Sequence, residues 1–484
     1  MRTQFFFSLL LSICFISSLF AQKAGDIEWT SSFLSEEDKV YGEDMKFGYL
    51  YVPEDYEKEG SRLWKMAFIR IKAKRTISEN IASLYFMGGW GARGIKNLGF
   101  YQNHFLAYHG DLIIFDYRGS GYSEPKFCQD MPAKIYDAVA ADMSYKDFEL
   151  KQKGLLNGCL DEMESRGIDF NQFGTNTKAR DAILLAEKLG YDNYNLFGVS
   201  YGTKTILQYL RQSTQDIRSV ILDSNCPLDY PINSAMASDF ARSLNLILED
   251  CVSDNKCRSK YPRLKEKYLQ MLASLDEKPL KVNLPKDEVL YLNRQEMNAL
   301  LHQLLYDENY YAYVPKIIKK FSNRNKLYLN RLLRGMEELL KDNYNGLGLC
   351  NYLYDHKSMQ LESRQIRADA WESAADFDLF DGYRKFFEED VRFEANEEQT
   401  KLGEINIPTL ILAGEYDPIT PPYYSESIRK YFPQHTYFEF PKTGHGVTDN
   451  YCGRQLAGAF LKNPKNLQLP QCLEWIKEEK IRFK

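Results

Sequence analysis

The chain has 484 residues, of which 44% are hydrophobic and 27% charged, with a formal net charge of −5 and an isoelectric point near 5.9. That composition excludes a disordered polypeptide, and the length suffices for one domain with a large insertion or for two domains. The short basic run 316–320 and the acidic stretch 388–398 read as solvated faces, so nucleic acid is not an expected partner.

Residues 1–21 have the pattern of a secretory leader. Arg2 gives a positive start, residues 5–20 form an apolar run, and Ala21 offers a small residue before a cut. An uncleaved anchor is the alternative, although roughly 16 apolar residues are short for a span. No later segment is apolar enough for stable membrane insertion, so the expected location is exported, periplasmic or extracellular. Of nine cysteines, Cys14 lies in the leader. The remaining even number in an exported chain points to disulfides, though eight cysteines leave 105 connectivities open. The expected pairs are Cys251–Cys257, Cys452–Cys472 and Cys128–Cys159, with Cys226–Cys350 left over to tie insertion to sheet.

Strand patterns follow at residues 47–53, 64–71, 82–87 and 112–116, the last two running into the loops Gly88-Gly89-Trp90-Gly91 and Tyr117-Arg-Gly-Ser-Gly-Tyr-Ser123. A helix over 177–189 leads to a short apolar strand at 194–197, a helix over 203–211 and a strand at 219–223. Short, continuously apolar strands alternating with helices predict an α/β fold whose mostly parallel sheet is covered on both faces. From 227 to 399 the rhythm changes to helical periodicity, at 239–251, 261–275, 294–305, 314–321 and 327–340, with no strong strand signal. Strands resume at 407–413 and 436–440. The organisation predicted is a catalytic α/β domain of residues 22–226 and 400–484, interrupted by a helical cap over 227–399.

Gly198-Val199-Ser200-Tyr201-Gly202 fits the nucleophile elbow G-x-S-x-G, in which a strand ends, the chain turns sharply and a serine is presented before a helix. The sharp turn demands small residues two positions either side of the serine. A plain glycine-rich turn with an idle serine is the alternative. A serine nucleophile needs a base and the base an orienting acid, in this fold in the order serine, acid, histidine. His445, in Gly444-His445-Gly446 after the last strand, fits the base. Asp417 in Gly414-Glu415-Tyr416-Asp417-Pro418 fits the acid, with Glu415 the alternative and a helix N-cap the structural reading of Asp417. Two backbone N–H groups are needed for the developing oxyanion, and Tyr201 and Gly89 are the expected donors. No metal, nucleotide or nicotinamide pattern is present, so no cofactor is expected.

These motifs together resemble the tripeptidyl aminopeptidase and proline iminopeptidase group of serine α/β-hydrolases. The resemblance runs through Gly48-Tyr-Leu-Tyr-Val-Pro, the Gly88–Gly91 loop, Asp116-Tyr-Arg-Gly-Ser-Gly-Tyr-Ser123, the elbow, Leu222-Asp-Ser-Asn-Cys-Pro227, Gly414-Glu-Tyr-Asp-Pro-Ile-Thr-Pro421, Gly444-His-Gly446 and the Cys452 and Cys472 pair. Trp90 stands where that group usually has proline. The resemblance implies a cap that reads the free amino end of a peptide through a carboxylate, for which Glu249 and Asp250 are candidates. The expected activity is an exported serine aminopeptidase releasing short N-terminal peptides or single residues. An esterase with the same triad is the alternative, and a binding protein without turnover a third reading. Oligomeric state is not legible.

Overall fold

The computed structural model describes residues 22–34, 44–75, 79–96, 98–141, 143, 145–230, 232–283, 289–325, 346–351, 400–477 and 480–484. The expected leader, the helix over 327–340, the acidic stretch 388–398 and the end of the predicted cap lie outside these residues.

Strands β1 (Ile27–Thr30), β2 (Met45–Pro53), β3 (Leu63–Ile71), β4 (Ile81–Phe86), β5 (Asp111–Phe115), β6 (Asn193–Val199) and β7 (Ile217–Asp223) precede a separate antiparallel hairpin, β8 (Leu280–Asn283) with β9 (Val289–Leu292). Strands β10 (Thr409–Gly414) and β11 (His435–Phe440) complete a nine-stranded sheet in the order β1-β2-β3-β5-β4-β6-β7-β10-β11. The β1-β2-β3-β5 ladders are antiparallel and those from β5 through β4 to β11 are parallel. Every residue of β4 and of β10 is buried, as strands covered on both faces must be.

Alternation along the strands divides the core in two. Leu84, Leu196, Leu222 and Ile411 pack on one face with the helices Thr175–Leu189 and Tyr201–Gln212. Tyr85, Phe197, Ile221 and Leu412 pack on the other with the helix Tyr451–Lys462. The predicted α/β sheet with helices on both faces is what the chain forms.

From β4 the chain passes first to β5 on one side and then to β6 on the other, so the strand order reverses at β4. In open α/β sheets ligands bind at the carboxyl ends of strands beside such a reversal. The loops carrying Gly89 and Ser200 leave the carboxyl ends of β4 and β6 respectively.

Two expectations are corrected. The hairpin β8–β9 lies inside the stretch read as lacking strands; its first strand alternates buried and exposed residues over only four positions, too few to stand out from neighbouring helical periodicity. The pairs Cys128–Cys159, Cys251–Cys257 and Cys452–Cys472 are disulfides, but Cys226 and Cys350 are buried thiols rather than a fourth bridge. Even parity says that pairing is possible; it does not bring two particular sulfurs together.

The loop after β5 is locked by charge. Arg118 and Asp181 have almost no exposed surface, and the guanidinium donates to Asp181 Oδ2 at 2.7 Å and to the carbonyls of Pro53 at 2.9 Å and Glu54 at 2.8 Å. One side chain thus joins β2, the 117–123 loop and the helix Thr175–Leu189. Removing one partner of a buried pair leaves the other charged and unmatched, so Asp181→Ala should destabilise the fold by about 3–5 kcal/mol. Urea unfolding of the variant beside the parent measures this, and equal midpoints would show that the pair contributes nothing.

Candidate active site

Ser200 sits between the end of β6 and the first residue of the helix Tyr201–Gln212, with φ 56° and ψ −130°. A residue with a Cβ rarely adopts that conformation, and it persists only where the surroundings impose it. Here they do. A Cβ on Gly202 would lie 2.0 Å from the carbonyl oxygen of Phe86, so the helix can approach β4 this closely only with glycine at that position. A Cβ on Gly88 would lie 2.9 Å from Ser200 Cβ, which fixes the β4 loop against the serine. Gly89, the next residue, has φ +82°. Tyr201 opens its helix, where backbone N–H groups face outward at the positive end of the helix dipole.

His445 Nδ1 lies 2.8 Å from Asp417 Oδ2 and 3.1 Å from Thr420 Oγ1. Asp417 is fully buried. Its Oδ1 accepts from the N–H groups of Ile419 at 2.9 Å and Thr420 at 2.8 Å, and its Oδ2 accepts from Thr420 Oγ1 at 2.8 Å. Burial alone would raise the Asp417 pKa, but the facing His445 and these hydrogen bonds hold it below its ordinary value. For His445 burial acts to lower the pKa, and the carboxylates of Asp417, Asp223 and Asp449 outweigh it, so the net shift is upward. Glu415 is engaged elsewhere, its Oε2 accepting from the Lys442 N–H at 2.8 Å, and the N-cap of the helix Pro422–Ile428 is Pro421 rather than Asp417. Of the two acids weighed from the sequence, Asp417 is the one on the histidine.

The histidine loop is bound to the strand beside the elbow. Asp223, the last residue of β7, accepts the Ser200 N–H with its carbonyl at 2.9 Å, and its carboxylate accepts the N–H groups of Val447 and Thr448, each at 2.8 Å. Ser224 Oγ accepts the Gly446 N–H at 2.8 Å. On the far side the His445 N–H donates to the Tyr306 carbonyl at 2.9 Å, and the Tyr306 ring stands edge-on to the imidazole at a centroid distance of 4.7 Å.

Neither acid expected to receive a substrate's amine is a dry carboxylate awaiting a cation. Asp250 Oδ2 is salt-bridged to Lys442 and accepts from Tyr416 OH at 2.8 Å, while Glu249 is exposed and hydrogen-bonded to Asn245. Both lie near the C-terminal end of the helix Ile232–Ser253, where sequence position gave no measure of what else they face. Sequence reading also missed Asp223, Tyr306 and Asp239. Asp239 is buried, accepts from Tyr423 OH and from Tyr424 OH at 2.5 Å, and burial pushes its carboxyl up to about 7. The signal available for Asp239 was an acid at helical spacing from the apolar Ala235 and Met236. Among the described residues no group of three His, Cys, Asp or Glu side chains is arranged to hold a metal ion.

Residues 89–449 match the family model described as alpha/beta hydrolase fold, three quarters of the chain. The chain belongs to the alpha/beta hydrolase family. Tripeptidyl aminopeptidases of Streptomyces lividans and Streptomyces coelicolor are each 31% identical to this hydrolase over 194 residues, a match spanning 37% of this chain and 35% of each relative. Among solved structures, a proline iminopeptidase of Mycobacterium smegmatis aligns over 86% of this chain and 98% of its own, at 13% identity and a TM-score of 0.38. A thermophilic esterase of Thermogutta terrifontis aligns over 86% and 99%, at 14% identity and a TM-score of 0.38. Likenesses at that level do not separate peptidase from esterase.

If this hydrolase uses His445 as its base, the neutral imidazole is the working form. With the histidine pKa raised above 6.5, kcat/KM should climb with pH and reach half its plateau above pH 6.5. Asp417→Asn removes the nearest charge that raises that pKa, so the acid limb should move to lower pH while kcat drops by about 10⁴-fold. A pH–rate profile of both proteins measures the two effects; an acid limb that stays in place in Asp417→Asn would assign it to another group.

Proposed function

We propose that this chain is an exported serine hydrolase that releases short peptides or single residues from the free amino end of a peptide. The observation that carries the chemistry is the 2.8 Å contact of His445 with a buried Asp417, tied through Asp223 to a serine held at positive φ. In this reading Ser200 Oγ attacks the scissile carbonyl carbon and its proton passes to His445 Nε2. Asp417 holds the Nδ1–H tautomer and stabilises the imidazolium. The N–H groups of Tyr201 and Gly89 receive the oxyanion. Collapse breaks the C–N bond, the leaving amine takes the proton from His445, and water then hydrolyses the acyl-enzyme by the same steps in reverse.

The peptide class is supported by the partial likeness to tripeptidyl aminopeptidases. Residues 22–226 and 400–484 are assigned to the catalytic domain, 227–399 to a cap and 1–21 to an export leader. The three disulfides support passage to an oxidising compartment. Among the described residues no helix is long and apolar enough to cross a membrane.

A fluorophosphonate probe should label Ser200, with labelling lost in Ser200→Ala and strongly reduced in His445→Ala. Undiminished labelling of Ser200→Ala would end the assignment of the nucleophile. The substrate class is tested with one fluorogenic peptide amide, its amine free or acetylated, beside a short-chain nitrophenyl ester. Losing a charge-assisted contact of the ammonium costs about 2–5 kcal/mol, which is roughly thirty-fold to several thousand-fold in kcat/KM. Equal rates on the free and blocked peptides, or turnover of the ester alone, would replace the aminopeptidase with an esterase.

A further inference from the structure

Behind the loop that carries Gly89, two polar side chains from distant parts of the chain form a relay that ends on one main-chain carbonyl. Lys178, on the helix Thr175–Leu189, has no exposed surface. Its ammonium lies 4.8 Å from the ring centroid of Tyr117 and 5.3 Å from that of Tyr201, and it donates to Asn351 Oδ1. Asn351, fully buried at the end of the described helical residues 346–351, donates from Nδ2 to the carbonyl oxygen of Trp90.

We infer that Lys178 and Asn351 are positioning residues that hold the Gly88-Gly89-Trp90 turn in the conformation that aims the Gly89 N–H at the oxyanion. The inference rests on the reading of Ser200, Gly89 and Tyr201 given above. An asparagine amide can be turned either way, with oxygen and nitrogen exchanging places. An ammonium only donates, so Lys178 compels the amide oxygen to face it, and the amide nitrogen then faces Trp90. Burying an ammonium is costly unless it is hydrogen-bonded or faces π-systems, and both are supplied here. The lysine in turn fixes the asparagine, and the asparagine fixes the carbonyl one residue beyond Gly89. A turn containing two adjacent glycines has wide backbone freedom, and a donor held on its following carbonyl removes much of it. The same ammonium faces the ring of Tyr201, the residue whose N–H is the second donor in that reading, so both halves of the proposed oxyanion hole are linked to one buried cation.

Asn351→Asp is the informative substitution. Aspartate has the same shape and still accepts from Lys178, but it has no N–H for the Trp90 carbonyl. The expected result is a fall in kcat of about tenfold to a hundredfold, less than the effect of deleting an oxyanion donor outright. KM and the thermal midpoint should stay near the parent's, and fluorophosphonate labelling should slow in proportion to kcat because phosphonylation develops the same oxyanion. Lys178→Met, which frees the amide to rotate, should lower kcat in the same direction. An unchanged kcat in Asn351→Asp overturns the inference, and so does a loss explained by a lowered thermal midpoint or by KM alone. Ser200→Ala separates this from the underlying reading: retained turnover there removes the serine mechanism altogether. An inactive Ser200→Ala beside a fully active Asn351→Asp removes only the positioning role.

Discussion

The buried residue Asp223 holds the site's geometry together. Its carbonyl takes the N–H of Ser200 and its carboxylate takes the N–H groups of Val447 and Thr448, so one residue at the end of β7 sets the elbow and the histidine loop in a common frame. Burial raises its pKa, and the Thr448 hydroxyl and the two N–H groups act against that rise. Charge-assisted bonds in a water-free setting are stronger and shorter than neutral ones, and they hold a loop to a narrow range of positions. A nucleophile and base carried on separate loops need that restriction, since small displacements cost large factors in rate.

A second set of contacts comes from the helices between β7 and β10. Along the helix Ile232–Ser253, Ser243 Oγ donates to the Tyr416 carbonyl at 2.5 Å, Arg242 donates to the Glu415 carbonyl at 2.8 Å, and Asp239 receives the hydroxyls of Tyr423 and Tyr424. These bonds bracket Asp417 on both sides in sequence. Tyr306 takes the His445 N–H, and Asn351 reaches the Trp90 carbonyl. The loops carrying Asp417, His445 and Gly89 therefore each lean on a different part of the stretch between β7 and β10. The described inserted segments are thus part of the framework of the site, and substitutions in them should be expected to act on turnover as well as on substrate preference.

The sheet, the elbow and the pair His445 and Asp417 were legible because each is written locally. Strand and helix periodicity are short-range properties, and a nucleophile elbow needs glycines at fixed offsets from its serine. Chain order does not separate Asp417 from Glu415, and which carboxylate faces the imidazole is a matter of three-dimensional packing. Asp223 and Tyr306 were not legible, because their roles rest on backbone N–H and carbonyl groups that carry no sequence signature. The Cys226–Cys350 pairing failed because it was reached by remainder, and two buried cysteines need matching Cβ directions as well as an even count. For Glu249 and Asp250 the sequence shows only charged residues on a helix, and the partners, Asn245 and Lys442, are visible only in three dimensions.

The carboxylates around His445 impose opposing demands that the arrangement reconciles. If His445 is the base, raising its pKa reduces the fraction of neutral imidazole near pH 7, which alone would slow attack. In the proposed reaction the same carboxylates would also stabilise the imidazolium formed as the serine proton is transferred. Stabilisation gained in the transition state lowers the barrier, whereas the protonation cost is confined to the fraction of enzyme in the wrong state. Asp417, fully buried and in contact with Nδ1, is the largest of these contributors and would also fix the tautomer. Asp223 adds to it at longer range while its oxygens are committed to backbone N–H groups and the Thr448 hydroxyl, so it contributes charge without competing for the imidazole. Holding the loops and tuning the base are therefore two effects of the same buried residue.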